Sequence, residues 1–207
     1  MPKPASLPMA LTAALALAFS TAAPASPTAY DPEAPWNDPG RFGVGLKYTG
    51  LSYHPDGGEH EGYPRKLDDA AFWVLLIGAE ADADWRPFRY LYLRGSTSFY
   101  KDCADLWAGY YHLGFRANYD VGERVAVRIG IGPTYLWRQN WLHRVEGYHR
   151  DSFFGDSTQG DFQGKFIWYG GDAEIEWKAT DRIALVYSAI PGWPEVIQSS
   201  VGFRYTF

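Results

Sequence analysis

Eight stretches of this chain alternate, residue by residue, between apolar or aromatic side chains and small, polar or charged ones. A repeat of two is the period of a β-strand with two different faces. The stretches cover about 41–53, 71–82, 87–100, 106–119, 124–138, 162–178, 182–190 and 196–207. In the fourth, Tyr111, Leu113, Phe115 and Ala117 alternate with His112, Gly114, Arg116 and Asn118. In the fifth, Val125, Val127, Ile129 and Ile131 alternate with Ala126, Arg128, Gly130 and Gly132. The polar faces carry Glu80, Arg94, Arg116, Arg128, Glu174, Glu176 and Arg204 beside many glycines. A soluble sandwich turns its apolar face inward. Long strands with an apolar face and a second face of charges and glycines fit a lipid-facing exterior around a narrow polar lumen. The expected fold is therefore all-β: an eight-stranded antiparallel transmembrane β-barrel of the outer-membrane type. Charges of both signs inside so small a barrel must pair with one another, because a lone buried charge is costly.

The connections support the same fold. Short ones are expected at Asp84-Trp85-Arg86, Asp120-Val121-Gly122 and Thr180-Asp181. Longer ones are expected at 54–70 and 139–161 and, less so, at 101–105 and 191–195. Short periplasmic turns and long outer loops are the rule for such barrels, and an even strand count puts both termini on the periplasmic side. Aromatics make up 17% of the sequence, with nine Trp and fifteen Tyr, as aromatic girdles at two membrane interfaces require. The last residues, Gly202-Phe203-Arg204-Tyr205-Thr206-Phe207, resemble the C-terminal signature of outer-membrane barrels and imply recognition by the barrel assembly machinery through the strand ending at Phe207.

Residues 1–25 resemble a secretory signal: Lys3, an apolar run from Met9 to Phe19, and Ala23-Pro24-Ala25 before the cleavage point. Residues 26–40, with four prolines, read as a flexible lead-in, and 41–207 as the barrel. The expected location is the outer membrane, reached by crossing the inner membrane with the signal. The sequence after residue 25 contains no apolar run near 18 residues, which excludes a helical membrane protein. A net charge of −5 excludes nucleic acid as a natural partner. One cysteine, Cys103, allows no disulfide within the chain, and five scattered His offer no metal-binding spacing, so no cofactor is expected. Eight strands leave a lumen filled by side chains, which disfavours an open pore.

Polar groups that could carry chemistry gather on the long-loop side. The third strand ends in Phe99-Tyr100-Lys101-Asp102-Cys103, with Trp107 shortly after. Gly114 follows Cys103 by eleven residues on the lumen face. Arg138-Gln139-Asn140-Trp141 leaves the fifth strand, Ile190-Pro191-Gly192 leaves the seventh, and His54 leaves the first. In this order the motifs resemble the lipid A palmitoyltransferase family (PagP), eight-stranded outer-membrane barrels that move a palmitoyl chain from a phospholipid to lipid A. The resemblance implies His54 as base, Asp102 as its orienting partner and Cys103 at the position of the family's serine. It implies Gly114 as the floor of an acyl-chain pocket, Arg138 as a substrate-binding residue and Pro191 beside a lateral lipid gate. The partners would be a phospholipid acyl donor and a lipid A acceptor. The sequence departs from the family in having cysteine for serine, in lacking the amphipathic N-terminal helix, and in matching only Pro191 among the gate prolines. Acyl transfer needs an activated nucleophile, a base and an oriented chain, and a thiolate beside an imidazolium satisfies the first two.

Two other readings stand beside this one. A non-enzymatic structural or ligand-binding barrel would use the long aromatic loop from Trp141 to Gly160, with His143, Tyr148, His149, Phe153 and Phe154, to bind a surface ligand. A lipid A deacylase would use His149-Arg150-Asp151-Ser152. Each site residue also has an ordinary role open to it: His54 as a solvated loop histidine, Asp102 as a turn residue, Cys103 as an inert thiol, Gly114 as relief from crowding.

Overall fold

The computed structural model describes residues 33, 41–54, 63–149, 153–155, 159–192 and 196–207, with 191, 192 and 196 described by backbone alone. The signal at 1–25 and, apart from Glu33, the lead-in at 26–40 lie outside the described residues. Eight strands form a closed antiparallel barrel in sequence order: β1 (Phe42–Tyr53), β2 (Trp73–Phe88), β3 (Leu91–Lys101), β4 (Trp107–Val121), β5 (Val125–Gln139), β6 (Phe162–Lys178), β7 (Ile183–Gly192) and β8 (Val196–Thr206). A four-residue helix, α1 (Trp141–Arg144), follows β5. No helix among the described residues is long and apolar enough to cross a membrane.

The two faces of the wall sort as the alternation requires. Leu46, Phe115, Ile129 and Phe203 are each more than 60% exposed, whereas Arg94 and Arg116 on the inner face are fully buried. An exterior of large apolar side chains around a charged interior is inside-out for water and suited to hydrocarbon. Phe99 and Trp107 stack at 4.4 Å, Trp137 lies 5.7 Å from Phe99, and Phe162 lies 6.0 Å from Trp137. These contacts form an aromatic girdle across β3 to β6 at the long-loop end.

One turn differs from expectation. Asp84-Trp85-Arg86 is part of β2, which continues to Phe88, and the reversal to β3 falls at Arg89–Tyr90. Pro87 is accommodated by an irregularity between Trp85 and Phe88 in the pairing with β3, where a missing N–H costs no ladder bond. At the β4–β5 turn Gly122 takes φ +75°, a left-handed conformation that other residues resist.

The lumen toward the short-turn end is filled by paired charges. Glu174 lies at the centre, within 3.5 Å of Lys47, 3.3 Å of Arg94, 3.2 Å of Arg116 and 2.9 Å of Arg128, and it also pairs with Arg204. Glu80, Asp82, Asp84, Asp172 and Glu176 complete the set of anions. Glycines leave the room this packing needs. A Cβ on Gly130 would sit 2.6 Å from Arg116 Cγ and 2.8 Å from Asp172 Oδ1. Above the charges comes a belt of hydroxyls, in which Thr49 and Ser200 share a hydrogen bond of 3.1 Å.

The wall is uneven at one seam. β6 pairs with β5 along its whole length, up to Gln139↔Phe162. Its ladder with β7 runs only from Lys178↔Ala184 to Ala173↔Ala189. Above that point β6 has no strand partner on its β7 side among the described residues, although β7 continues to Gly192 in its pairing with β8.

Removing the hub of the charge network should be severe. Glu174→Ala leaves buried guanidinium groups without their common partner and is expected to cost about 3–5 kcal/mol. The exposed Lys165→Ala control should stay within about 0.5 kcal/mol. Urea unfolding in detergent micelles reads both. A loss below about 1 kcal/mol for Glu174→Ala would mean that water screens the plug.

Candidate functional site

At the long-loop end the loops close over the lumen with a small core of their own. Tyr63, Ala71, Val74, Leu76, Tyr100, Cys103, Ala108 and Trp141 pack together. Trp141 sits between Tyr63, at 5.4 Å, and Tyr148, at 5.2 Å. Asn140 starts α1 by accepting the Leu142 N–H at 3.0 Å, and its amide donates to Gly160 O at 3.1 Å, which ties the two ends of the long loop together.

Beneath this cap lies a cavity of about 70 Å³, room for a few water molecules or a short length of alkyl chain. His54, Asp102, Cys103 and Arg138 all line it, so four residues far apart in sequence meet at one place. Much of the remaining wall is apolar or aromatic: Leu76, Leu136, Trp137, Phe153, Phe154 and Ile190. Phe153 packs on Tyr110, Leu136 and Ile190 and thereby takes up part of the upper lumen. Gln198 donates to the Tyr100 hydroxyl at the cavity wall.

The geometry gives Asp102 a clear local task. Its Oδ1 accepts the N–H groups of Ala104 and Leu106 at 3.0 and 2.9 Å, and its Oδ2 accepts Trp141 Nε1–H at 2.7 Å. Asp105, in the same turn, takes φ +62°. Asp102 therefore builds the β3–β4 turn and fixes Trp141 across 39 positions of sequence. Burial raises its pKa, opposed by the Leu106 N–H, the Trp141 indole and the Arg138 charge.

Cys103 is 2% exposed, and burial, reinforced by the nearby Asp102 charge, pushes its thiol well above the usual range. It is a protonated thiol at neutral pH, the opposite of an activated nucleophile. Burial, and then the Arg138 charge, lower the pKa of His54, so its imidazole is neutral. Among the described residues the His54 side chain makes no hydrogen bond to Asp102 or Cys103. The trio shares a cavity without the contacts of a nucleophile, base and orienting acid.

Arg138 lies over Trp141 at 4.0 Å and over Phe154 at 4.3 Å, and its Nε donates to Gln163 Oε1 at 3.1 Å. Cation–π contact and burial thus hold a guanidinium at the cavity wall. Gly114 faces the lumen as expected but lies outside the cavity wall. It pairs with Arg94, and a Cβ there would sit 2.4 Å from His112 Nε2, among the charges. Pro191 is within β7, opposite Ile197, rather than beyond the strand end. Phe99, a residue of the third-strand motif, is half exposed on the outer girdle. Arg150, Asp151 and Ser152 of the deacylase motif lie outside the described residues. The tie from Trp141 to Asp102 and the aromatic clamp on Arg138 had no signal in the sequence, because each joins loops that only the closed barrel brings together.

Two outcomes follow. Iodoacetamide at pH 8 should alkylate Cys103 at least roughly tenfold more slowly in the folded protein than after unfolding in urea. Asp102→Ala should raise proteolytic cutting of the 140–161 loop by roughly tenfold, because the lost charged hydrogen bond is worth about 1.5–3 kcal/mol, while His54→Ala leaves cutting unchanged.

No family model matches this sequence, and no curated protein matches it. Solved structures do resemble it in fold. Neisserial surface protein A (NspA) superposes with a TM-score of 0.50 at 13% identity, over 80% of this chain and 97% of that one. The N-terminal β-barrel domain of Pseudomonas aeruginosa OprF gives 0.48 at 11% identity, over 80% and 97%. Ail, the attachment invasion locus protein of Yersinia pestis, gives 0.46 at 14% identity, over 80% and 96%. At these identities the likeness speaks for architecture alone: this chain has the closed eight-stranded antiparallel fold of outer-membrane barrels.

Proposed function

We propose that this chain is a non-enzymatic outer-membrane barrel that holds a lipid acyl chain at its outer mouth. The observation that carries this reading is the cavity with its largely apolar wall in the same outer half of the barrel as the β6 edge, which has no β7 partner among the described residues. Unpaired backbone facing hydrocarbon is costly and is tolerated where it borders a cavity. A chain entering from the bilayer at that seam has no ladder to break. The cavity as it stands takes only part of an acyl chain, so a longer chain requires Phe153 and Phe154 to move outward.

A second reading, transfer of a palmitoyl-like chain from a phospholipid to lipid A, is favoured by one observation: His54, Asp102, Cys103 and Arg138 converge on that cavity. Against it stand the commitment of both Asp102 oxygens to local hydrogen bonds and the protonated Cys103 thiol.

Mass spectrometry separates the readings. The protein is purified from outer membranes in mild detergent and its bound lipids are measured, together with lipid A from the same cells. The expected result is a co-purifying lipid, lost on Ile190→Trp, with lipid A unchanged. An added acyl mass on lipid A that disappears with His54→Ala would establish acyl transfer. A lost acyl mass would favour the deacylase. A folded barrel with no bound lipid and unchanged lipid A would sink both lipid readings and leave a structural barrel.

A further inference from the structure

Phe153 belongs to the long loop, yet its ring is seated inside the barrel. It is 9% exposed and packs on Tyr110, Leu136 and Ile190, inward residues of β4, β5 and β7. Leu136, Ile190 and Phe153 itself all line the outer cavity, with Phe154 beside them. The ring therefore fills the part of the upper lumen that adjoins the open space. An apolar hollow left empty is costly, because its walls lose their packing. Something apolar has to stand there, and here it is a side chain of the loop.

The tip that carries the ring is fastened separately from the rest of the loop. Gln163 Nε2 donates to Gly155 O at 3.2 Å, and Arg138 lies over Phe154 at 4.3 Å. Gln163 Oε1 accepts the Trp141 N–H at 3.2 Å and the Arg138 Nε–H at 3.1 Å, so this one side chain of β6 links the tip, α1 and the cavity wall. Gly155 takes φ +89°, which turns the chain directly after the two rings. The stem of the loop is closed elsewhere, where Asn140 N–H donates to Asp161 O at 2.9 Å. The tip can leave its seat while the stem stays shut.

We propose that Phe153 is the resident plug of the outer cavity, a side chain that stands in for an acyl chain and is displaced by one. This rests on the lipid-holding reading above and adds its regulation. Ring and chain compete for the same apolar wall, which gives two states: tip seated without a chain, and tip out with a chain in its place. When the open state is only a fraction of the population, the apparent affinity for the chain falls by that fraction. The exchange also breaks the Gln163–Gly155 bond and releases Arg138 from Phe154, so occupancy of the lumen is felt in the long loop.

The test compares wild type, Phe153→Ala and Gly155→Ala. A Cβ on Gly155 meets nothing within 4 Å, but its left-handed φ resists any side chain, so this second variant unseats the tip and leaves the cavity wall intact. Urea unfolding confirms that each variant is folded. Lipid bound per barrel, measured by mass spectrometry after purification from outer membranes, should rise about threefold or more in both variants. The proteins are then held in amphipol and treated with protease, with and without palmitoyl lysophosphatidylcholine. The probe should speed cutting of the 140–161 loop about tenfold in wild type, and glycerophosphocholine, the same headgroup without a chain, should not. Phe153→Ala should be cut fast with or without the probe. Equal lipid on all three proteins, with cutting that ignores the probe, overturns the plug and leaves the lipid-holding reading in place. No lipid on any of the three overturns both.

Discussion

Everything in this barrel depends on the pairing of charges across its lumen. Closing eight strands pairs the wall all round except at the outer β6–β7 seam, among the described residues, and leaves an interior only wide enough for side chains. In hydrocarbon the exterior has to be apolar, so the polar residues of each strand are forced inward. Once there, they must neutralise one another, since each unpaired buried ion costs several kcal/mol. Glu174 answers five cations drawn from five other strands, so the network works as a cross-brace between opposite walls. The glycines of the inner face belong to the same solution. Gly45 would bring a Cβ within 2.4 Å of the Asp82 carboxylate, and Gly130 one within 2.6 Å of Arg116.

The brace divides the lumen. Toward the short turns it is dense and charged, with a cavity of about 40 Å³ at its mouth. Toward the long loops the charges give way to hydroxyls and then to a cavity capped by Tyr63, Trp141 and Tyr148. This order explains why Gly114 is not the floor of an apolar pocket. It faces inward, but its neighbours at that depth are Arg94 and His112. It also explains the chemistry of the upper site. Asp102 and Cys103 are buried by the cap, so the carboxylate is spent on turn N–H groups and an indole, and the thiol keeps its proton. The β6–β7 seam is where this upper half differs most from a uniform barrel. Its backbone, without a β7 partner among the described residues, lies in the half of the wall that carries no charged brace.

The sequence by itself determined the number of strands, their inner and outer faces and the two long connections after the first and fifth strands; the connection expected at 191–195 is confined to 193–195, because Pro191 and Gly192 stay in β7. A period of two is imprinted by the pleat at every residue, and the sign of the alternation separates a lipid-facing barrel from a soluble sandwich. It was misleading at Asp84-Trp85-Arg86. Aspartate followed closely by proline reads as a turn, but here the proline sits at a strand irregularity and the reversal comes later. It also brought His54, Asp102, Cys103 and Arg138 into view as one group, and they do meet at one cavity.

Tertiary structure alone decided what those residues do there. Whether Asp102 turns toward His54 or toward Trp141 depends on how two loops 39 residues apart pack, and no local pattern encodes that. The truncated β6–β7 ladder is equally silent in the sequence, because the alternation of β6 runs on past the point where its partner is lost. The cavity at the short-turn end is assembled from the starts of β1, β3, β5 and β7 and the ends of β2, β6 and β8, together with the β6–β7 turn. Alternation is a property of single strands. Register, loop packing and the meeting of strand ends come into being only when the barrel closes.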